Sequence, residues 1–169
     1  MSKLSTILDE IGAKLVQDLG EELAQQGHKA SGSLIESLRY EKVSTWDSKG
    51  IHVKGNDYGH YLEKRNQWRN KMPPIEPLID WINILKSKGR FSTVKNVRSL
   101  AFAIAKTLKK EGMPTINSYD PTITKNGRRI GFIKHTIEKN SKHIKNKLHF
   151  AIKEDIKLMI QNVARKGMR

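Results

Sequence analysis

Leu38-Arg39-Tyr40-Glu41-Lys42-Val43, followed by Asp47-Ser48-Lys49-Gly50 and then Ile51-His52-Val53-Lys54-Gly55, separates an α+β reading from an all-helical one. Ile51 and Val53 alternate with polar residues, as they do when one face of a strand is buried and the other is wet. Leu38, Tyr40 and Val43 open the first arm, and Asp47-Ser48-Lys49-Gly50 supplies turn chemistry between the arms. The stretch predicts a β-hairpin with Trp46 near its bend.

Working outward, the apolar period changes to that of a helix. Leu4, Ile7, Leu8, Ile11, Leu15, Leu19 and Leu23 recur at steps of three and four, an amphipathic helix of about six turns. Gly27 is its predicted stop, because glycine takes a left-handed cap at little cost. Ala30-Ser31-Gly32-Ser33-Leu34 reads as a small-residue turn before the hairpin. Beyond the hairpin, Asp57 to Glu63 reads as a short helix or turn, and Lys64 to Lys71 as a polar loop with an exposed Trp68. Pro73-Pro74 ends that loop in extended geometry.

Glu76-Pro77 starts a helix with Leu78, Ile79, Trp81, Ile82 and Leu85 on its apolar face and Gly89 closing it. Val94 to Glu111 is predicted to be another, stopped by Gly112. Pro114 to Gly131 has no period and reads as a functional or mobile loop. From Phe132 onward Ile133, Ile137, Ile144, Leu148, Ile152, Ile156, Ile160 and Val163 mark a long last helix. It must pack back on the first helix or lie against a neighbouring subunit.

The fold expected is α+β: a small antiparallel sheet packed by a long N-terminal helix, two middle helices and a long basic C-terminal helix. Residues 1–169 form a single domain in this reading, with the basic helix of residues 132–169 a candidate to reach a neighbour.

The chain has no cysteine, which excludes thiolate zinc sites, cysteine catalysis and disulfides and fits a cytosolic origin. No apolar run approaches the roughly 18 to 20 residues that span a bilayer, and the start reads as neither signal nor transit peptide, so no membrane partner is expected. The formal charge is +15, which suggests an acidic partner such as nucleic acid or an acidic protein face. The charge is uneven. Asp9, Glu10, Asp18, Glu21 and Glu22 make the first helix acidic, whereas from Lys125 onward only Glu138, Glu154 and Asp155 oppose a long series of lysines and arginines.

The order of segments resembles a known family. Ser31-Gly32-Ser33-Leu34 precedes the hairpin; Tyr58-Gly59-His60-Tyr61-Leu62-Glu63 and then Pro73-Pro74-Ile75-Glu76-Pro77-Leu78-Ile79-Asp80-Trp81 follow it. Leu100 to Lys106, Gly131-Phe132-Ile133 and a long helix complete the series. This resembles the neck, head–tail joining and tail-completion proteins of long-tailed bacteriophages. In that family a small-Gly-x-Leu turn, a Tyr-x-x-Tyr/Phe-x-Glu element and a Pro-Pro-x-x-Pro-Leu-x-x-Trp segment occur in this order. Here Gly32, Leu34, Tyr58, Tyr61, Glu63, Pro74, Pro77 and Trp81 occupy the matching positions. Two features depart from the pattern: Glu63 runs into Lys64-Arg65-Asn66 where the family has a Gly-containing turn, and the C-terminal end is unusually basic.

The resemblance implies a structural role with no chemistry and no cofactor. It implies a homo-oligomeric ring in the virion, at the head–tail junction, with portal or connector and tail proteins as partners and DNA passing through the lumen. Such a protein would be made in the host bacterial cytoplasm. Lys139, Lys142, Lys145, Lys147, Lys153 and Lys157 are then the candidate contacts to phage DNA, nonspecifically, or to an acidic partner. Trp68, flanked by Arg65 and Arg69, is a candidate interface anchor, since it lies outside any apolar period. The rival from another class is a sequence-nonspecific nucleic-acid-binding protein that uses the basic last helix.

Catalytic constellations are weaker. His60 and Glu63 have a helical ligand spacing, and His135, His143 and His149 lie in the last helix, yet they sit among lysines without a converging acidic cluster. Glu76 and Asp80 at a helix start are explained by capping and the helix dipole. Ser31-Gly32-Ser33 lacks the lysine of a phosphate loop.

Overall fold

Two long helices run antiparallel and carry the rest of the chain. α1 (Lys3–Gln25) and α6 (Phe132–Gly167) meet along most of the length of α1: Asp18 lies against Asn140, Glu10 against Lys147, and the start of α1 against Asp155. The computed structural model describes residues 2–28, 31–57, 59–64 and 68–167. α1 ends where its glycine predicts. Gly27 (φ 77°) turns the chain, its N–H donating to Ala24 O at 3.2 Å while His28 N–H donates to Leu23 O at 2.9 Å. This double bond is the Schellman arrangement that satisfies the last carbonyls of a helix.

The hairpin forms from β1 (Arg39–Ser44) and β2 (Lys49–Lys54), paired antiparallel with Tyr40 opposite Val53 and Val43 opposite Gly50. The bend lies two residues earlier than the sequence suggested. Thr45 to Ser48 form the loop, while Lys49 and Gly50 pair in the ladder with Ser44 and Val43. Thr45 decides this: its N–H donates to Ser48 O at 2.8 Å and its hydroxyl to Asp47 Oδ1 at 2.6 Å, closing the loop before Lys49. Tyr40 lies flat over Gly12 of α1, where any Cβ would run into its ring.

The apolar residues of α1 feed two clusters. Ile7 and Ile11 pack on Ala151 of α6, with Leu15, Ile51, Ile144 and Leu148 around them. Leu19 and Leu23 pack with Leu34, Leu62 and Phe132, bordered by Leu38 and Val53. The alternation of Ile51 and Val53 thus places one β2 residue in each cluster. Leu34 belongs to a short helix, α2 (Ser33–Ser37), which stands where a simple turn was expected. Leu62 belongs to α3 (Gly59–Glu63).

α4 (Ile75–Ser87) and α5 (Val97–Glu111) form a helical arm. α4 buries Ile82 and Leu85, and α5 buries Ala101, Ala105 and Leu108, whose small alanines let the two backbones approach. Pro77 lies in the first turn of α4, where a missing N–H costs nothing. α5 begins three residues later than its period suggested, because the Asn96 side chain accepts from Ser99 N–H at 2.9 Å and fixes the N-terminus.

The segment from Pro114 to Gly131 is irregular, as its lack of period predicts, and part of it packs on α1. It opens with a 3₁₀ turn at Ile116–Tyr119, and its second half seats on the C-terminal end of α1. Thr124 is 2% exposed, and Lys125 N–H donates to Gln25 O at 2.7 Å. Arg128 clamps Glu22 with two bonds, Nε to Oε1 at 3.1 Å and Nη2 to Oε2 at 3.2 Å. The cause is chemical complementarity: the acidic last turns of α1 are covered by the basic stretch that leads into α6.

Candidate interaction surface

The charge asymmetry of the sequence is partly consumed inside the molecule. Of the six lysines singled out on the last helix, Lys147 pairs with Glu10 at 2.8 Å and Lys139 lies 3.8 Å from Asp18. Asp18 is buried, accepting from Asn140 Nδ2 at 2.7 Å and pairing with Lys14 at 3.0 Å. Burial acts to raise its pKa, but bonds from Lys14 and Asn140 and the charge of Lys139 outweigh burial and hold the carboxyl below its ordinary value. Glu10 is likewise held low, chiefly by its bond from Lys147.

The other four lysines face away. Lys142, Lys145, Lys153 and Lys157 are exposed and make no ion pair among the described residues. Lys142, Lys145, His149 and Lys153 follow one outward line, separate from the buried line of Thr136, Asn140 and Ala151. The helical period places such residues on opposite sides of one helix.

Both ends of the α1–α6 pair are tied by carboxylates at helix N-termini. Glu63 accepts from Ile133 N–H at 2.9 Å and Lys134 N–H at 3.1 Å, capping α6. Asp155 of α6 accepts from Lys3 N–H at 2.8 Å and Leu4 N–H at 3.0 Å, capping α1 beside Ser2, and these backbone bonds hold its pKa below the ordinary value. Each supplies negative charge where free N–H groups and the helix dipole favour it. Beneath the loop before α6, His28 shares a hydrogen bond of 3.0 Å between Nε2 and Arg129 O. Burial, and then the Arg129 charge, lower its pKa to about 4, so near neutrality the ring is uncharged and donates through Nε2.

Past Asp155, α6 leaves α1 behind. Residues 156–166 are all exposed, and the helix projects for about 18 Å. Ile156, Met159, Ile160 and Val163 are 51%, 66%, 64% and 65% exposed and recur at helical spacing. An open groove lies where this projection meets the start of α1 and the end of the hairpin, with Leu158, Met159 and Val163 on its wall and Lys49 and Lys166 among its charged residues. Trp46, in the adjoining hairpin loop, is 97% exposed.

The remaining singled-out residues are spread over the body. Trp68 is half-buried, not exposed, with a left-handed backbone (φ 66°), and the nearby Asn70 N–H donates to Lys109 O at 2.9 Å, fastening the loop to α5. Arg69 is exposed; Arg65 and Tyr58 lie outside the described residues. Gly32 (φ 88°) precedes α2, Leu34 is core, and Pro74 precedes α4. Tyr61 is 46% exposed with its ring 3.8 Å from that of His60. Trp81, read from its spacing as part of the apolar face of α4, sits at the edge of the arm at 37% exposure, 6.1 Å from the Phe91 ring; the next residue, Ile82, is the buried one. The step of about 100° between neighbouring helical residues turns the indole outward and the isoleucine inward.

Among the described residues no three His, Asp or Glu side chains converge to hold a metal ion, and no helix is long and apolar enough to cross a membrane. Asp18 and Glu22 were legible in the sequence only as acids of the first helix, and their pairing with Asn140 and Arg128 was not, since these partners are far away in the chain. The groove on the projecting helix was missed as well, although the apolar spacing of Ile156 to Val163 was its visible sign. No family model, curated protein or solved structure matches the chain.

Proposed function

We propose that this protein is a structural subunit of a tailed-bacteriophage virion. In this reading it is one copy of a homo-oligomeric ring at the head–tail junction, a neck or tail-completion protein that joins portal or connector to tail and lines or seals the DNA path. It is made in the host cytoplasm, performs no chemistry and needs no cofactor. The observation that carries the reading is the free end of α6: a helix about 18 Å long with apolar residues on a surface that its own fold does not cover. Such a surface suits a protein that works in an assembly. The serial order of Gly32-x-Leu34, Tyr58 to Glu63 and Pro73 to Trp81 names the kind of assembly.

The second reading, nonspecific nucleic-acid binding, is favoured by the outward line of Lys142, Lys145 and Lys153, whose charges no acid of the described residues neutralises. In a ring those lysines would face the lumen or a neighbouring acidic ring; in a free protein they would track phosphates and give a steep salt dependence.

Electron microscopy of virions from the source phage tests the choice. The expected result is the chain traced as a symmetric ring at the portal–tail junction. Virions without a copy of it would overturn the structural reading and leave phosphate tracking in first place.

A further inference from the structure

We infer that the groove between the projecting end of α6, the start of α1 and the hairpin end receives an acidic amphipathic segment of a different protein. The inference deepens the proposed function by naming the partner's chemistry, and it rests on that reading only for the idea that this end is a working surface.

Three observations converge on this end of the molecule. Leu158, Met159 and Val163 give the groove an apolar wall, and their exposures of 52%, 66% and 65% leave much of that wall in water. Its charged residues other than Asp155 are cationic. Lys49 comes from β2 and Lys166 from the last turn of α6; neither makes an ion pair among the described residues, though the Lys49 charge lies near enough to Asp155 to favour its ionised form. The carboxylate in the groove, Asp155, is already committed to the N–H groups of Lys3 and Leu4. Trp46 stands on the adjoining loop, 97% exposed, the residue type that most often anchors an interface.

These features select among occupants. A second copy docking through the same end would bring Lys49 and Lys166 against their counterparts, a like-charge contact on a chain of net charge +15. A nucleic-acid backbone would satisfy the lysines but leave the apolar wall against charged phosphates. A helix or strand with apolar residues flanked by Asp or Glu satisfies both. The molecule already contains one such pairing: acidic, amphipathic α1 lies on the preceding part of α6, with Lys147 on Glu10 at the edge of the Ile7, Ile11 and Ala151 contact.

The test uses the full chain and a designed amphipathic peptide of leucine and glutamate heptads, with a twin carrying lysine for glutamate. Binding is read by fluorescence anisotropy of the labelled peptide. The acidic peptide is expected to bind and its lysine twin to fail. V163E should weaken binding by about a hundredfold and the pair K49E/K166E by about tenfold. All three positions are exposed or at the surface, so circular dichroism should show unchanged folding. K110E, on α5, should have no effect.

Equal binding of both peptides, or binding unaffected by V163E and K49E/K166E, would overturn the proposal. So would concentration-dependent self-association that V163E abolishes, which would assign the groove to a second copy. Loss of duplex-DNA binding in V163E would assign it to nucleic acid and overturn it too. A ring seen in virions alongside a failed peptide test would leave the structural role intact and sink this inference alone.

Discussion

Residues 132–155 and 156–167 of α6 are one continuous helix with two different fates. The first part lies on α1, buries Phe132, Thr136, Asn140 and Ala151, and spends Lys139 and Lys147 on acids of α1. The second part has comparable apolar spacing and basic charge, yet every described side chain there is exposed. Local sequence alone therefore does not separate a packed helix from a free one. What separates them is whether α1 is long enough to reach, and α1 stops at Asp155.

The largest test of this contrast places an aspartate in each part. Ala151 is 0% exposed, so A151D forces an unpaired carboxylate into the contact with Ile7 and Ile11. It should cost about 3 to 5 kcal/mol by chemical denaturation. I160D, at a residue 64% exposed, should change stability by no more than about 0.5 kcal/mol. Similar losses from the two would mean that the projecting part is packed after all.

Acid should loosen the packed part from its near end. The folded chain holds His28 neutral down to about pH 4, whereas the unfolded chain takes up its proton near the ordinary value of 6.5. Between those values the unfolded state binds more protons, so stability falls as pH falls across that window and the His28 contribution is flat above it. The full loss is about 3 kcal/mol. H28Q, whose amide can still donate to Arg129 O, should flatten the slope; a slope unchanged in H28Q would assign it to other groups. The depressed carboxylates act lower: the contribution of Asp18 is present above the unfolded carboxylate value and lost as pH drops below it.

A smaller effect is expected at the cap. E63A removes the acceptor of Ile133 and Lys134 N–H and should cost about 1 kcal/mol, read as a lower melting temperature. E154A, on the same helix near the point where it leaves α1, lacks any such bond among the described residues and should leave melting unchanged.

Glu63 also shows where the sequence was legible. Its place in a Tyr-x-x-Tyr-x-Glu element was visible, but its role depends on backbone 70 residues away. The same holds for Asp155 under the start of α1 and for Arg128 on Glu22. Periodicity made α1, α6, the arm and the hairpin legible, because burying one face imposes a local pattern. It misplaced the hairpin bend, since Thr45 closes the loop through side-chain bonds that compete with the Lys49-Gly50 signal. It showed the loop of Pro114 to Gly131 but not its seat on α1, because polar, aperiodic residues can also be buried when a partner surface supplies their bonds, as Gln25 does for Thr124. The six lysines looked alike in sequence; only the position of α1 divides them into paired and free.

That division yields the smallest and most discriminating test. K147Q removes a 2.8 Å partner of Glu10, and the lowered Glu10 pKa should rise toward its ordinary value when the bond is lost. K157Q removes a cation that no acid of the described residues faces. Exposed pairs contribute little, so K147Q should lower the denaturation midpoint by less than E63A does. K157Q should leave the midpoint unchanged or raise it slightly, since it relieves repulsion among like charges. Salt sharpens the contrast: near 1 M ionic strength the screening length falls to about 3 Å, and the two variants should converge. If K157Q instead lowers the midpoint at low salt and recovers at high salt, Lys157 has an intramolecular partner. The projecting part would then belong to the folded body, not to a surface waiting for another protein.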